Sequence, residues 1–500
     1  MNIDYIIVQA GGKGTRLDYL TSNKPKALVP VENLPLLFHL FKEFKDKRFI
    51  VIADYKKEVL REYLDCFAKV QYQVVDAAEM GNCAGLKEAL DHLPDGEPFM
   101  LIWSDLILPN NFLLPHQQGN YIGISQTFPC RWSYKDGRFI KEKSTEYGVA
   151  GLFIFEEKSC LSDIPRSGEV VSWMQEQNKV FKELGLAGTR EFGLLSEYKA
   201  LESEKCRPFN KMTIDGDILT KEPIDEQGRG LAKFEKEWYK IAISKGVTNI
   251  PKLYSTEPLK MERIHGKNIY EYSGLSLDGK RAILVKLVEA LNQLHMLGSV
   301  PADTFSIKEA YYNKTIVRLS KIRDLIPFAN KKTIIINGRD CRNVYYYKRD
   351  FESKLETLIC DNFAFIHGDC TFSNMMLKND DEPVLIDPRG YFGLTEIYGD
   401  PNYDWAKLYY SIVGNYDRFN LKDFKLTIRD KDIKLKISSN QWEALEQDFF
   451  LMSQTDPKVI KLIHAVIWLS LTTYTWHDYD SVCGAFYNGL YYLEELYEKY

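Results

Sequence analysis

The sequence predicts an α/β protein in two parts, and three stretches carry that expectation. Residues 5–8 form an unbroken apolar run, the pattern of a strand buried on both faces of a parallel sheet, and they open onto a loop with Gly11, Gly12 and Gly14. After a short polar junction at 203–209 the pattern changes to a hairpin, a long helix and further β-rich runs. Around residue 365 two apolar runs, 363–366 and 384–386, deliver Asp369 and Asp387 to one cleft, with Asn374 between them.

The bulk numbers narrow the class. A chain of 500 residues predicts two or three domains, and 45% hydrophobic with 27% charged residues is ordinary for globular proteins with sizeable cores. The net charge of -5 gives no argument for nucleic acid or for a membrane surface as partner, so small-molecule substrates are expected. Nine scattered cysteines without a C-x-x-C pair predict reduced thiols in a cytoplasmic protein rather than disulfides or a zinc site. Residues 1–4 lead straight into the first strand without a basic leader, so no signal peptide is expected. The apolar run 463–476 holds His464 and several hydroxyl residues; it is too short and polar to span a bilayer and reads as a buried helix.

Taken in order, the first loop is Ala10-Gly11-Gly12-Lys13-Gly14-Thr15-Arg16-Leu17. Glycines let the backbone turn its N–H groups toward phosphate, and Lys13 and Arg16 add charge for a triphosphate. Residues 24–31, Lys-Pro-Lys-Ala-Leu-Val-Pro-Val, follow at short range. Together these stretches resemble the signature of the sugar-phosphate nucleotidylyltransferases, G-G-x-G-T-R-L followed by P-K-x-L-x-P-V. The resemblance implies a Rossmann-like doubly wound nucleotidyltransferase domain over residues 1–205. It implies nucleotide binding at Ala10, Gly11, Gly12, Gly14 and Thr15, and catalytic roles for Arg16 and Lys26.

The following elements fit that family. Residues 48–53 predict a strand, and Val59, Leu60, Tyr63 and Leu64 mark one face of the next helix. Residues 79–85 stand where the family has a loop over the base, which implies nucleotide binding at Gly81. The strand at 99–103 ends at Ser104-Asp105, and an aspartate at the C-terminal end of a parallel strand faces the ligand crevice. By resemblance Asp105 binds catalytic Mg²⁺ and Lys143 meets the acceptor phosphate. Glu191 stands where the family has a second aspartate on the metal, one methylene shorter, and Leu194 replaces a threonine. The implied reaction is in-line attack of a substrate phosphate oxygen on the α-phosphorus of a nucleoside triphosphate, by positioning and charge neutralisation.

The second part opens with a hairpin at 210–221 around Asp215-Gly216, with Lys221 at its end. A helix over 231–244 carries Glu235 and Glu237, and a Met-Glu-Arg-Ile-His-Gly segment follows at 261–266. This order resembles the aminoglycoside phosphotransferase and choline kinase family. It implies a two-lobed protein-kinase-like (α+β) domain over 206–500, with a small lobe at about 206–264 and a large lobe at about 265–500. Lys221 would contact the α- and β-phosphates of ATP and pair with Glu237, which begins the E-W-Y-K-I-A run. Glu235, two positions away, points to another side of the helix and is the competing partner. Glu262 in the connector is expected at the nucleotide. No glycine-rich phosphate loop precedes Lys221, since Gly228 and Gly230 come after it.

Residues 282–297 predict a long helix ending in Leu-Asn-Gln-Leu-His, where His295 is structural by resemblance. Residues 306–360 read as mostly helical apart from a β-like patch at 333–338. His367-Gly368-Asp369 with Asn374 matches the family's H-G-D-x-x-x-x-N, and Ile386-Asp387 matches its strand end. The match implies that Asp369 orients or deprotonates the acceptor hydroxyl, that Asn374 and Asp387 hold Mg²⁺, and that His367 braces the loop. The aromatic and acidic stretch 388–405 is read as the acceptor wall, with Arg389, Asp400 and Asp404 as its polar groups. Residues 424–437 predict an extra hairpin, and 441–500 a helical tail.

The expectation is a bifunctional enzyme. One domain, an ATP-dependent kinase, phosphorylates a hydroxyl of an amino alcohol, polyol or sugar. The other joins the product to a nucleotide from an NTP, CTP being favoured, for surface polysaccharide or lipid decoration. Mg²⁺ is expected at both sites, with ATP and CTP as substrates. A sugar kinase fused to a GTP- or UTP-dependent pyrophosphorylase, and one active domain with a regulatory partner, are the alternatives. The acceptor, the nucleotide and the oligomeric state stay open at this point.

Overall fold

The computed structural model describes every residue except 1, 111, 196–197, 199–209, 225, 430–431 and 500, and gives Gln227 by its backbone only. The expected junction at 203–209 and the expected boundary at 205/206 lie outside the described residues, as do Ser196 and Glu197 of the stretch around Glu191. The chain divides into two compact units: Met1–Cys206 with Trp476–Asp480, and Arg207–Thr475 with Ser481–Tyr500.

In the first unit β1 (Tyr5–Gln9) lies between β2 (Arg48–Ala53) and β4 (Phe99–Trp103), all parallel, with β3 (Gln71–Asp76) outside β2. The order β4-β1-β2-β3 is that of a Rossmann-like half. The register sets Ile7 opposite both Ile50 and Leu101, and each is at most 3% exposed. A strand flanked on both sides must be apolar on both faces, which is why residues 5–8 do not alternate. Two further elements complete the site: the short β5 (Leu106–Ile107), and β6 (Gly148–Phe155), which runs antiparallel to β4. The short β7 (Arg190–Glu191) pairs with β5. Helices at Leu36–Glu43 and Lys57–Phe67 cover the sheet with Leu36, Leu40, Leu60 and Leu64, all buried.

The second unit begins with an antiparallel sheet of β8 (Asn210–Asp215), β9 (Ile218–Pro223), β10 (Leu253–Thr256) and β11 (Leu259–Glu262), in the order β8-β9-β11-β10. Helix α1 (Glu226–Ser244) packs against it. The central elements beyond are α2 (Leu277–His295), capped by Ser276, and β12 (Asn362–Phe365). The hairpin β13 (Met375–Lys378) and β14 (Glu382–Leu385) follows, with Met375 opposite Leu385. Two more helices matter to the site: α3 (Lys314–Ile322) and α4 (Pro401–Ile412).

The expected patch at 333–338 and the expected hairpin at 424–437 join into one four-stranded sheet. Thr333–Ile336 pairs in parallel with Asp432–Ile437, setting Ile336 opposite Ile433. Each hairpin has one apolar face and an open edge; pairing buries Ile334, Ile336, Ile433 and Leu435 together. The late apolar run, expected as a helix over 463–476, is helical only to Leu471: the helix is Pro457–Leu471, almost all buried from Ile460 on, and 472–476 form turns beyond it. Among the described residues no helix is long and apolar enough to cross a membrane.

Candidate active sites

In the first unit the loop after β1 is pinned by its own backbone. Ala10 N–H donates to Ile52 O at 3.0 Å, Tyr55 N–H to Gly11 O at 3.2 Å and Lys26 N–H to Gly12 O at 3.2 Å. Gly14 has φ +65°, the left-handed region where a side chain strains, and Leu17 N–H closes the turn onto Gly14 O at 2.9 Å. Thr15 and Arg16 sit on the exposed rim. Gly81 (φ +95°) packs on Gly168, whose carbonyl oxygen would be 2.3 Å from an added Cβ. A glycine there is demanded by chain packing. Lys143 is exposed, while its neighbour Glu142 accepts from Ser133 Oγ at 3.1 Å.

Two strand ends bring the acids together. Asp105 lies between β4 and β5, and its carbonyl accepts from Phe192 N–H at 3.0 Å. The β5–β7 pairing sets Glu191 opposite Leu106, directly beside Asp105. Lys26 Nζ is ion-paired with Asp105 Oδ2, and Arg16 Nη2 lies 3.8 Å from Glu191 Oε1. Asp105 Oδ1 is buried with no hydrogen-bond partner among the described residues. A buried carboxylate oxygen without a donor is costly, and a hard cation satisfies it. The donor set Asp105 and Glu191 therefore fits Mg²⁺. Among the described residues no group of three or more His, Cys, Asp and Glu gathers, so phosphate and water oxygens would complete the shell.

In the second unit Asp369 is the centre. Its Oδ1 lies 2.9 Å from Lys407 Nζ, and its Oδ2 accepts from Asn374 Nδ2 at 2.9 Å. Burial pushes the Asp369 carboxyl up, but Lys407 and then Arg389 outweigh it and hold the group below the usual carboxylate range. The group is thus an ionised acceptor at neutral pH. His367 Nε2 meets Ile386 O at 3.0 Å and its Nδ1 accepts from Asp369 N–H at 3.2 Å. Burial keeps the ring below the ordinary histidine pKa, against the pull of Asp404 and Asp369. It braces the loop as a neutral group.

Asp387 takes a left-handed φ of +55°, an uncommon conformation for a non-glycine residue. Its Oδ1 lies 3.0 Å from Lys221 Nζ. Burial lowers the lysine, yet Asp387 and Glu235 raise it further than burial lowers it, so Lys221 stays charged. Asn374 and Asp387 offer a carboxamide and a carboxylate oxygen, a donor set that suits Mg²⁺.

Four sequence expectations change. Lys221 pairs with Glu235, both of whose carboxylate oxygens lie 2.8 Å from Nζ; Glu237 is exposed and 3.6 Å from Lys240. Positions two apart differ by about 200° around a helix, so only one can face the lysine. Trp238 decides which: it is fully buried and its Nε1–H donates to Ile366 O at 2.7 Å. Glu235, Trp238, Tyr239 and Ala242 recur at i, i+3, i+4 and i+7, a pattern that was available in the sequence.

Asp404 does not line an acceptor wall. It is fully buried and accepts from His367 N–H at 2.9 Å, Gly368 N–H at 2.7 Å and His295 Nε2 at 3.1 Å. Asp400 caps α4, accepting from Asn402 N–H at 2.9 Å, and takes Tyr311 Oη–H at 2.8 Å. Both carboxylates sit at the first turn of α4, where backbone donors and the helix dipole collect acids. The Glu262 side chain is held by Lys378 Nζ at 2.7 Å and Lys252 N–H at 3.2 Å, and so is turned to protein groups rather than to a nucleotide.

Arg389 lines a cavity with Lys314, Tyr391 and Tyr403. Sequence reasoning missed Lys407, Lys314 and Arg318. Lys407 follows Asp404 by one helical turn on α4, and Lys314 and Arg318 stand at i, i+4 on α3, so helical spacing was the available signal.

The first unit thus holds paired acids at its strand ends, and the second a buried lysine–glutamate pair and an aspartate loop. Residues 6–116 match the family model described as the MobA-like NTP transferase domain, and residues 218–424 match that of the phosphotransferase enzyme family. The UTP–glucose-1-phosphate uridylyltransferase of Haloferax volcanii is 36% identical over 112 residues, which cover 21% of this chain and 44% of that protein. The mannose-1-phosphate guanylyltransferase 1 of Arabidopsis thaliana is 33% identical over 110 residues, 20% of this chain and 30% of that protein. The chain thus spans less than half the length of these curated relatives. Among solved structures, the CTP:phosphocholine cytidylyltransferase of Streptococcus pneumoniae has 22% identity and a TM-score of 0.33, covering 41% of this chain and 99% of that one.

Proposed function

We propose that the chain is a bifunctional transferase that makes an NDP-activated building block from a small hydroxyl compound in two steps. The observation that carries the first step is Asp369, ionised beside Asn374, Asp387 and the Lys221–Glu235 pair. Asp369 positions the acceptor hydroxyl and takes its proton as the oxygen attacks the γ-phosphorus of ATP; the bond to the β–γ bridging oxygen breaks and ADP leaves. Lys221, fixed by Glu235, steadies the donor phosphates. In the second step a phosphate oxygen of the product attacks the α-phosphorus of an NTP, and pyrophosphate leaves. Lys26 and Arg16 neutralise the charge that develops, and the pinned loop from Ala10 to Thr15 aligns the triphosphate. Mg²⁺ bound at Asp105 and Glu191, and at Asn374 and Asp387, would supply charge neutralisation on the phosphate oxygens.

CTP is the proposed nucleotide, on the likeness to phosphocholine cytidylyltransferase types; GTP and UTP are the second reading, since the curated relatives are named for those nucleotides. The activated product would serve surface polysaccharide or lipid decoration. The reaction draws on cytoplasmic nucleotides and small molecules, with neither nucleic acid nor a membrane as partner. The test is mass spectrometry of the full chain with ATP, each of CTP, UTP and GTP, and a pool of small alcohols. An NDP-linked product that forms only when ATP and one NTP are both present is expected. ATP consumption without any nucleotide-linked product, from alcohol or from added phosphorylated alcohols, would refute the second step.

A further inference from the structure

The cavity that Arg389 lines is rich in cations. It holds about 210 Å³ and is lined by Lys314, Arg389, Tyr391, Phe392 and Tyr403, with Glu309 at one side. Arg389 reaches it from the catalytic loop, where its N–H donates to His367 O at 2.8 Å. Its guanidinium is spread between two phenols, donating to Tyr403 Oη at 3.0 Å and Tyr391 Oη at 2.9 Å, and it stacks 4.6 Å from the Tyr391 ring centroid. Lys314 Nζ lies 5.8 Å from the Tyr403 ring, and Lys407 Nζ lies at the same distance from it. Arg318, one turn along α3 from Lys314, donates to Ser470 O at 2.5 Å.

The negative charge nearby does not balance this. Asp369 pairs with Lys407 and also attracts Arg389. Glu309 accepts from the neutral Asn313 Nδ2 at 2.8 Å and partly offsets Lys314, so two carboxylates stand against the four cations Lys314, Arg318, Arg389 and Lys407. Lys314, Arg318 and Arg389 form no ion pair with a carboxylate among the described residues; their partners are phenols, ring faces and a carbonyl. Burial, and then the cations Arg389, Arg318 and Lys407, push Lys314 well below the ordinary lysine range. A half-buried group of like charges is unfavourable unless something neutralises it. The donor side has its own cation, Lys221, already committed to Glu235 and Asp387.

We infer that the acceptor of the kinase carries an anionic group, a carboxylate or a phosphate, besides the hydroxyl that is phosphorylated, and that Lys314, Arg318 and Arg389 hold it. This rests on the kinase function proposed above. It selects within the expected acceptor classes: an amino alcohol would add a cation where cations already outnumber carboxylates and is disfavoured by charge, whereas an acid of a polyol or sugar, or its phosphate, is drawn in. Tyr391 and Tyr403 then act as a polar frame that keeps the guanidinium fork open toward the anion.

The test is isothermal titration of the full chain, saturated with a non-hydrolysable ATP analogue, against inorganic phosphate, D-glycerate, glycerol and choline. Phosphate or D-glycerate should bind at least tenfold more tightly than glycerol or choline, the stronger of the two showing which anionic group fits. Lys314→Met should weaken that binding at least tenfold while leaving the affinity for the ATP analogue within twofold. Arg318→Leu serves as the second variant if Lys314→Met does not fold. Equal or tighter binding of glycerol or choline, no binding of either anion, or anion binding that both variants leave unchanged would overturn the inference. Failure of the wild-type chain to bind the ATP analogue would instead strike the kinase function itself.

Discussion

Asp369 depends on a residue that no motif contains. Lys407 reaches it from α4 and, with Arg389, holds the carboxyl below its ordinary range against burial. The sign follows directly. A carboxyl depressed in the folded state stabilises the fold above its unfolded pKa of about 3.9 and loses that stabilisation as pH falls through the folded value. For catalysis the base stays ionised through the neutral range. Lys407→Met removes the counter-charge and leaves burial unopposed by it, so the acid limb of kcat/KM for ATP-dependent phosphorylation should move to higher pH, read from a pH–rate profile. A second residue-scale prediction separates the two glutamates. Breaking a buried pair by removing one partner costs about 3–5 kcal/mol. Glu235→Gln should therefore lower phosphorylation at least tenfold, while Glu237→Gln should stay within twofold, because its side chain is exposed beside Lys240.

At the scale of elements, the rotation of α1 is the decisive setting. Trp238 is fully buried and donates to Ile366 O, so the helix that carries Glu235 is tied to the strand end that leads into His367. Trp238→Ala should destabilise the second unit by about 3–5 kcal/mol. Trp238→Phe keeps most of the volume but leaves Ile366 O without its donor, which should cost about 1–3 kcal/mol. Denaturant midpoints of the two variants check the order. The same scale explains what was legible. Residues 5–8 and the glycine loop announce themselves because a doubly buried strand and a tight phosphate turn are local demands. The sheet built from 333–336 and 432–437 was not, because 333–338 reads as an isolated β-like patch and 424–437 as a self-contained hairpin, and only packing exposes the edge they share. Asp400 and Asp404 misled for a related reason: an acid at a helix start reads the same whether it faces a ligand or caps backbone donors.

For the whole molecule, two acid centres of different construction imply two activities that mutation can take apart. Asp105→Asn should abolish pyrophosphate release from NTP and leave ATP-dependent phosphorylation intact, so that the phosphorylated acceptor accumulates. Asp369→Asn should do the reverse, still converting a phosphorylated acceptor supplied from outside. A single loss that removed both activities from a folded protein would argue against two centres. The sequence by itself determined the class of each half, because glycine spacing, P-K-x-L-x-P-V and H-G-D-x-x-x-x-N are short-range patterns whose chemistry is contained in neighbouring residues. Tertiary structure alone decided which side chains meet. Glu191 stands beside Asp105 through a two-residue strand pairing, Lys314, Arg389 and Tyr403 meet on one cavity wall from α3, the loop after β14 and α4, and Lys407 reaches Asp369 from α4. The charge of that cavity is a sum over residues far apart in the chain, and folding is what performs the addition.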